Sequence, residues 1–282
     1  MNNITPDMHA KVINLFEHIW QNYLSVTPSA DKVQQLLGAG QTLINDHVAY
    51  RTFNLAKVNL DKLAAHLTTL GYQACDEYHF EAKKLYAKHF EHPDTNLPKV
   101  FISELLVEQL SPAAQQIIQQ LVAQVDETSV SADNFLYSGT PWQVNYQDYQ
   151  TLLAESEYAA WLAAWGYRAN HFTVSINHLK DYDCIEKVNE TLKQHGFTLN
   201  ATGGEIKGDR HVKLEQSSTL ADSISVKFAD KTVKIPSCFY EFAKRYPMDN
   251  GQLYSGFVAA SADKIFESTN VSIELASATQ LN

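Results

Sequence analysis

Two histidines open similar stretches of this chain, His47 in HVAYRTF and His171 in HFTVSIN. Both stretches are short and rich in β-formers, and both read as strands. A strand sends alternate side chains to opposite faces, so His47, Ala49, Arg51 and Phe53 share one face. On the second strand His171, Thr173, Ser175 and Asn177 share a face, while Phe172, Val174 and Ile176 form an apolar one. The apolar face packs inward, which turns the histidine face toward a cavity or water. Two neutral imidazoles and one carboxylate, with open positions beside them, are the donor set of a non-haem Fe(II) oxygenase. The candidate carboxylates are Glu104 in FISEL and Glu241 in CFYEF, each expected at the end of a strand. Pro236 marks a bulge or edge, so alternation leaves the facing of Glu241 open. His89 and His211 lie in strand-like stretches and are rival ligands. Plainer roles compete for every one of these residues. A strand histidine can be satisfied in the core, a glutamate can pair with a lysine, and Arg51 can brace its strand through a salt bridge. His66, His79, His92, His178 and His195 fall in helix or loop and read as solvated, and the Tyr and Trp residues of 158–167 read as core.

The elements that must position these residues follow from periodicity. Apolar residues at steps of three and four mark a helix over 8–24, and a second helix begins with Ser29 as N-cap. After the His47 strand, Leu60, Leu63, Ala64, Leu67 and Leu70 mark a helix closed by Gly71. Strands follow near Tyr78–Phe80, Leu85–Phe90 and Val100–Val107. Ile117 to Val125 and the run 146–165 are helical. The pattern then restarts with the His171 strand, a helix over Tyr182–Leu192 ended by Gly196, and strands near His211–Gln216, Ser223–Phe228 and Thr232–Glu241. Strand, helix, Gly-aromatic and several strands thus occur twice, each time opened by a histidine. The expected architecture is α+β: two βαβββ modules, about 43–107 and 168–245, related by a pseudo-twofold so that both histidines face one metal-binding cleft. Helical segments 8–38 and 111–165 are expected to pack outside it, and the whole of 1–282 reads as one catalytic domain.

Composition narrows the functional classes. The 282 residues carry 22 basic and 32 acidic side chains, a formal charge of −10, and no Lys/Arg run longer than two, which argues against a nucleic-acid binder. No run of 18 apolar residues exists, which argues against a membrane partner. Cys75, Cys184 and Cys238 are few and widely spaced, with no CxxC, and the opening MNNITPDMHAK has no signal-peptide pattern. Both fit a cytoplasmic protein. No glycine-rich nucleotide motif and no GxSxG elbow is present.

The stretches DHVAYRTF, EYHFEAKKLYAKHF, LPKVFISEL, ESEYAAWLAAWGYRANHFTVSIN, VKLEQSS and YEFAKRY resemble the DUF1338 family, described as 2-oxoadipate dioxygenase/decarboxylase. The resemblance runs from about residue 40 to about 270. It implies a fold similar to the vicinal-oxygen-chelate superfamily, whose βαβββ modules agree with the repeat. It implies that His47, His171 and Glu241 are the metal ligands, that Arg51 binds a substrate carboxylate, and that Glu104 is the symmetric counterpart of Glu241, one step removed from the metal. The implied reaction turns 2-oxoadipate and dioxygen into 2-hydroxyglutarate, in the D form, and carbon dioxide, with Fe(II) as cofactor, late in lysine breakdown. A metal-dependent isomerase or lyase on the same scaffold, or a non-catalytic metal- or small-molecule-binding protein, are the rival readings.

Overall fold

The computed structural model describes residues 6–270. The amphipathic helices α1 (Pro6–Leu24) and α2 (Pro28–Gly38) open the chain. Strand β1 (Asn45–Phe53), helix α3 (Leu60–Thr68) and strands β2 (Gln73–Phe80), β3 (Leu85–Glu91) and β4 (Lys99–Leu105) complete the first module. Helices α4 (Pro112–Ala123), α5 (Glu127–Val130), α6 (Tyr146–Glu155) and α7 (Glu157–Trp165) form the insert. The second module contains β5 (His171–Ser175), α8 (Ile185–Gln194), β6 (Lys207–Asp209) and β7 (Leu214–Ser218). A hairpin of β8 (Ser223–Lys227) and β9 (Thr232–Pro236) precedes β10 (Phe239–Arg245), and α9 (Ala259–Ile265) follows.

Eight strands form one sheet in the order β2-β3-β4-β1-β5-β10-β7-β6. Each half has the same pattern. Its first strand pairs parallel with its last, β1 with β4 and β5 with β10, and the two strands between them extend the sheet antiparallel. The halves join where β1 and β5 run antiparallel, with Val48 opposite Phe172. A pseudo-twofold through that pair carries His47 onto His171 and Asp46 onto Asn170. Through the β1–β4 and β5–β10 registers it carries Phe101, not Glu104, onto Glu241. Glu104 instead matches Lys244. Its carboxylate accepts from the Leu60 amide at the start of α3, 2.8 Å away, a favourable place for an anion.

The core fills the face opposite the histidines. Trp20 of α1 meets Phe172 edge-on at 4.9 Å, and Tyr23 donates from its hydroxyl to the Phe239 carbonyl. In α8, Ile185, Val188 and Leu192 are fully buried.

Four local expectations change. The run 146–165 breaks at Ser156, whose side chain accepts from the Ala159 amide and caps a new helix. The cap residue of α2 is Thr27, because Pro28 and Ser29 already lie inside the helix. Thr232–Glu241 splits at Ser237-Cys238, and β8 and β9 leave the main sheet as a two-stranded hairpin. The insert does not stay outside the cleft. Helix α7 reaches the site face, where Tyr158 and Trp161 pack on Arg51.

Candidate metal centre

The donors converge because the twofold places them symmetrically about the seam. His47 on β1, His171 on β5 and Glu241 on β10 each offer a ligand atom, and these atoms lie within 4.8 Å of one another. His47 Nε2 is 3.6 Å from Glu241 Oε1, and His171 Nε2 is 3.1 Å from Oε2. All three side chains are buried. Phe101 occupies the fourth symmetric position, so the arrangement offers three donors and an apolar corner. Glu241 is the third residue of β10, near its start rather than its end.

Both imidazoles are oriented from behind. His47 Nδ1 donates to Asp46 Oδ1 at 2.8 Å, and His171 Nδ1 donates to Asn170 Oδ1 at 3.1 Å. Adjacent strand residues normally point to opposite faces. A bulge between Asn45 and His47 re-aims Asp46 so that it can reach its neighbour. Arg245 grips Asp46 through two bonds, Nε to Oδ2 at 2.7 Å and Nη2 to Oδ1 at 2.9 Å. Its Nη1 also donates to the Tyr254 and Gly256 carbonyls at 2.9 and 2.8 Å. With each Nδ1 used in this way, each Nε2 is the ring atom left for the cluster, as in metal-binding histidines, and His47 Nε2 also lies 3.0 Å from Thr173 Oγ1.

The electrostatics follow from the partners. Burial pushes Glu241 up, but the His47 charge and the hydrogen bonds from His171 and His47 outweigh it and hold the carboxyl at about 2. Burial likewise opposes ionisation of Asp46, yet Arg245 and His47 carry it well below the usual carboxylate range. His47 is pulled down by burial and raised on balance by Glu241 and Asp46, whereas burial wins at His171, which has the neutral Asn170 in place of Asp46. Gln216 donates to Glu241 Oε1 at 2.6 Å.

A cavity of about 20 Å³ lies against the cluster, closed by Phe101, Phe257, Ala262, Ile265 and Phe266. Phe257 stands edge-on to His47 at 4.8 Å. A surface groove of about 740 Å³, lined by Lys57, Lys62 and His66, contains none of these residues.

Arg51 is buried on the same side of the sheet. Its guanidinium carbon lies 4.9 Å from the ring centres of both Tyr158 and Trp161. Nη1 meets Glu157 at 3.2 Å, and Nη2 donates to Thr269 Oγ1 at 3.0 Å. The salt bridge expected of a merely bracing arginine is therefore present. Nε, however, is buried without a hydrogen-bond partner among the described residues.

The rival histidines lie elsewhere. His89 is buried but bonded to Tyr78 and Glu91, and His211 is exposed in a turn. His92 is buried against Tyr72 rather than solvated, and His79 lies on β2. Sequence reasoning missed Asp46, Asn170, Gln216, Arg245, Phe257 and Phe266. The symmetric pair Asp46-His47 and Asn170-His171 could have found two of them, and the quoted stretch YEFAKRY contains Arg245.

The family model described as 2-oxoadipate dioxygenase/decarboxylase matches residues 5–252. The chain belongs to that family. A 2-oxoadipate dioxygenase/decarboxylase of Arabidopsis thaliana, named as chloroplastic, is 37% identical, with 88% of this chain and 74% of the relative covered. The solved structure of a hydroxyglutarate synthase from Oryza sativa in complex with 2-oxoadipate is 35% identical, with a TM-score of 0.90 and 95% of each chain covered. A structure from Shewanella frigidimarina is 63% identical, with a TM-score of 0.86, covering 88% of this chain and 98% of that one. A glyoxalase-superfamily structure from Ralstonia eutropha, at 22% identity and a TM-score of 0.70, shares the fold. The paired-module α+β fold expected from the repeat is thus the fold of these structures as well. Among the described residues no helix is long and apolar enough to cross a membrane.

Proposed function

We propose that this enzyme converts 2-oxoadipate and dioxygen into D-2-hydroxyglutarate and carbon dioxide, with Fe(II) held by His47, His171 and Glu241. The observation that carries the reading is the convergence of two oriented Nε2 atoms and one ionised carboxylate in a buried pocket. That donor set fits Fe(II), since neutral imidazoles and a single carboxylate leave positions for other ligands. When bound, Fe(II) would supply chelation of the 2-oxo acid and the reduction of dioxygen.

The chain's own residues do the rest. Asp46 and Asn170 hold the imidazoles in the tautomer that presents Nε2. Gln216 fixes one oxygen of Glu241. Phe101, Phe257 and Ile265 exclude water from the reacting end. Arg51 takes the distal carboxylate of the substrate, for which its unpartnered Nε and its Nη2 form a side-on fork. All six carbons and both oxygens of O2 are accounted for in the two products, so the substrate itself supplies the reducing electrons. The reading takes the chain as one catalytic domain working in a reducing compartment such as the cytoplasm, consistent with its free thiols at Cys75, Cys184 and Cys238.

The test is anaerobic loading with Fe(II), then oxygen uptake on a panel of 2-oxo acids with carbon dioxide and product measured. Uptake on 2-oxoadipate matched one-to-one by carbon dioxide supports the reading. Turnover of a 2-oxo acid without oxygen uptake would favour an isomerase or lyase instead. Substituting His47, His171 or Glu241 by Ala should abolish both metal retention and uptake.

A further inference from the structure

The cavity against the metal cluster is about 20 Å³, room for roughly one water molecule. A six-carbon dicarboxylic acid does not fit in it. A second pocket of about 190 Å³ opens to the surface between Lys83, Lys84 and Glu157. Phe266 lines both spaces. Its ring centre is also 5.7 Å from the guanidinium carbon of Arg51. One aromatic ring therefore separates the metal donors from the arginine and from the larger pocket.

Accepting the reaction argued above, we propose that Phe266 is a specificity-determining residue that sets the length of the 2-oxo dicarboxylic acid. Its ring stands where the methylene chain must run between the metal donors and Arg51. Phe266 begins the turn 266–269, and that turn is tied to Arg51 by the Thr269 hydroxyl on Nη2. A carboxylate arriving side-on at Arg51 fills the unpartnered Nε and displaces Thr269 from Nη2. Release of Thr269 loosens the turn at its Arg51 end, while Ser268 stays bonded to Asn200, Ser218 and the Ala221 amide; the Phe266 ring swings aside, and the small cavity joins the larger pocket. The ring then lies along the methylenes and fixes how many fit. A monocarboxylic acid has no group to displace Thr269 and leaves the partition closed.

The experiment compares wild type, Phe266→Leu and Phe266→Ala on the five-, six- and seven-carbon acids 2-oxoglutarate, 2-oxoadipate and 2-oxopimelate. Two readouts are taken: kcat/KM from oxygen uptake, and affinity by anaerobic calorimetry on the Fe(II)-loaded protein, where no turnover occurs. One methylene in an apolar pocket changes selectivity by roughly 10- to 200-fold. Phe266→Ala should shift the seven- to six-carbon ratio by at least about tenfold in both readouts, with Phe266→Leu between, while metal affinity stays at the wild-type value. Unchanged length ratios in two folded, metal-binding variants would overturn the proposal. Loss of metal binding in both variants would also overturn it, because the ring would then be structural support. If wild type consumes no oxygen with any acid, the assigned reaction fails, and the calorimetric length ratios alone decide on Phe266.

Discussion

Asp46→Asn is nearly isosteric and removes one buried charge. In wild type, Asp46 accepts from His47 Nδ1 at 2.8 Å and from Arg245 at 2.7 and 2.9 Å. An asparagine cannot repeat this set. With its oxygen toward His47, its amide hydrogens oppose those of Arg245 Nε. With its amide toward His47, Nδ1 must become the acceptor, and the proton moves to Nε2, where it blocks metal ligation. Either way the Arg245 guanidinium, only 5% exposed, is left as an unpaired buried charge. Breaking such a pair costs about 3–5 kcal/mol. For a chain of this size that lowers Tm by roughly 10 °C. Loss of a partner behind a ligating histidine weakens metal binding by about 10- to 100-fold. Thermal unfolding of the metal-free protein and competition with a chelator read the two effects separately. The double variant Asp46→Asn/Arg245→Met should recover part of the stability, since the unpaired charge is then gone. An Asp46→Asn protein with wild-type Tm and wild-type metal affinity would refute the reasoning.

Three further outcomes are expected. Arg51→Lys keeps the charge but loses the fork, so metal should bind normally while kcat/KM on 2-oxoadipate falls roughly 30- to 1000-fold; an equal loss on a monocarboxylic 2-oxo acid would mean that Arg51 only braces the sheet. Gly166 has φ +61°, and a Cβ there would stand 2.3 Å from the Gly139 oxygen and 2.5 Å from Thr140 Cα. Gly166→Ala should therefore cost more than about 2 kcal/mol in urea unfolding, and a cost near zero would show that the 139–140 backbone yields freely. Burial, opposed by the charges of Glu241 and Glu205, brings Lys207 down from 10.5 to about 8. Between those values the unfolded chain binds more protons than the folded one, so stability rises with pH across that window. Lys207→Met should remove that rise, which urea titrations of both proteins from pH 7.5 to 10.5 would detect; parallel curves would exclude it.

The fold was legible where periodicity was strong. Both module helices, the histidine strands and the repeat itself follow from apolar spacing and from the glycines that end the helices. Boundaries failed where one side chain decided them, as at Ser156, where a cap bond divides what reads as a continuous helix. The histidines were legible because strand alternation fixes their face. Glu241 was left open on spacing, since its facing depends on where β10 starts after Pro236, and the resemblance supplied it. Glu104 was misplaced for a related reason: the symmetry mate of Glu241 is set by strand register, which a single sequence does not display. Asp46 and Arg245 lie 199 positions apart, and a bulge creates their contact. The packing of Phe266 between two cavities is wholly tertiary.

With an ion held at the proposed site, the seam between β1 and β5 becomes a checkpoint of assembly. The first half of the chain contributes one donor, His47, and the second contributes two, His171 and Glu241. Only the pairing that sets Val48 opposite Phe172 brings them together. A slip of one residue would turn a histidine to the opposite face and leave the cation with two donors. A bound ion therefore stabilises the correctly registered sheet and no misregistered one, by mass action on that state alone. Such a contribution falls at the boundary between halves, so it would make the two modules melt as one cooperative unit, and holding the ion would certify that both have folded and met.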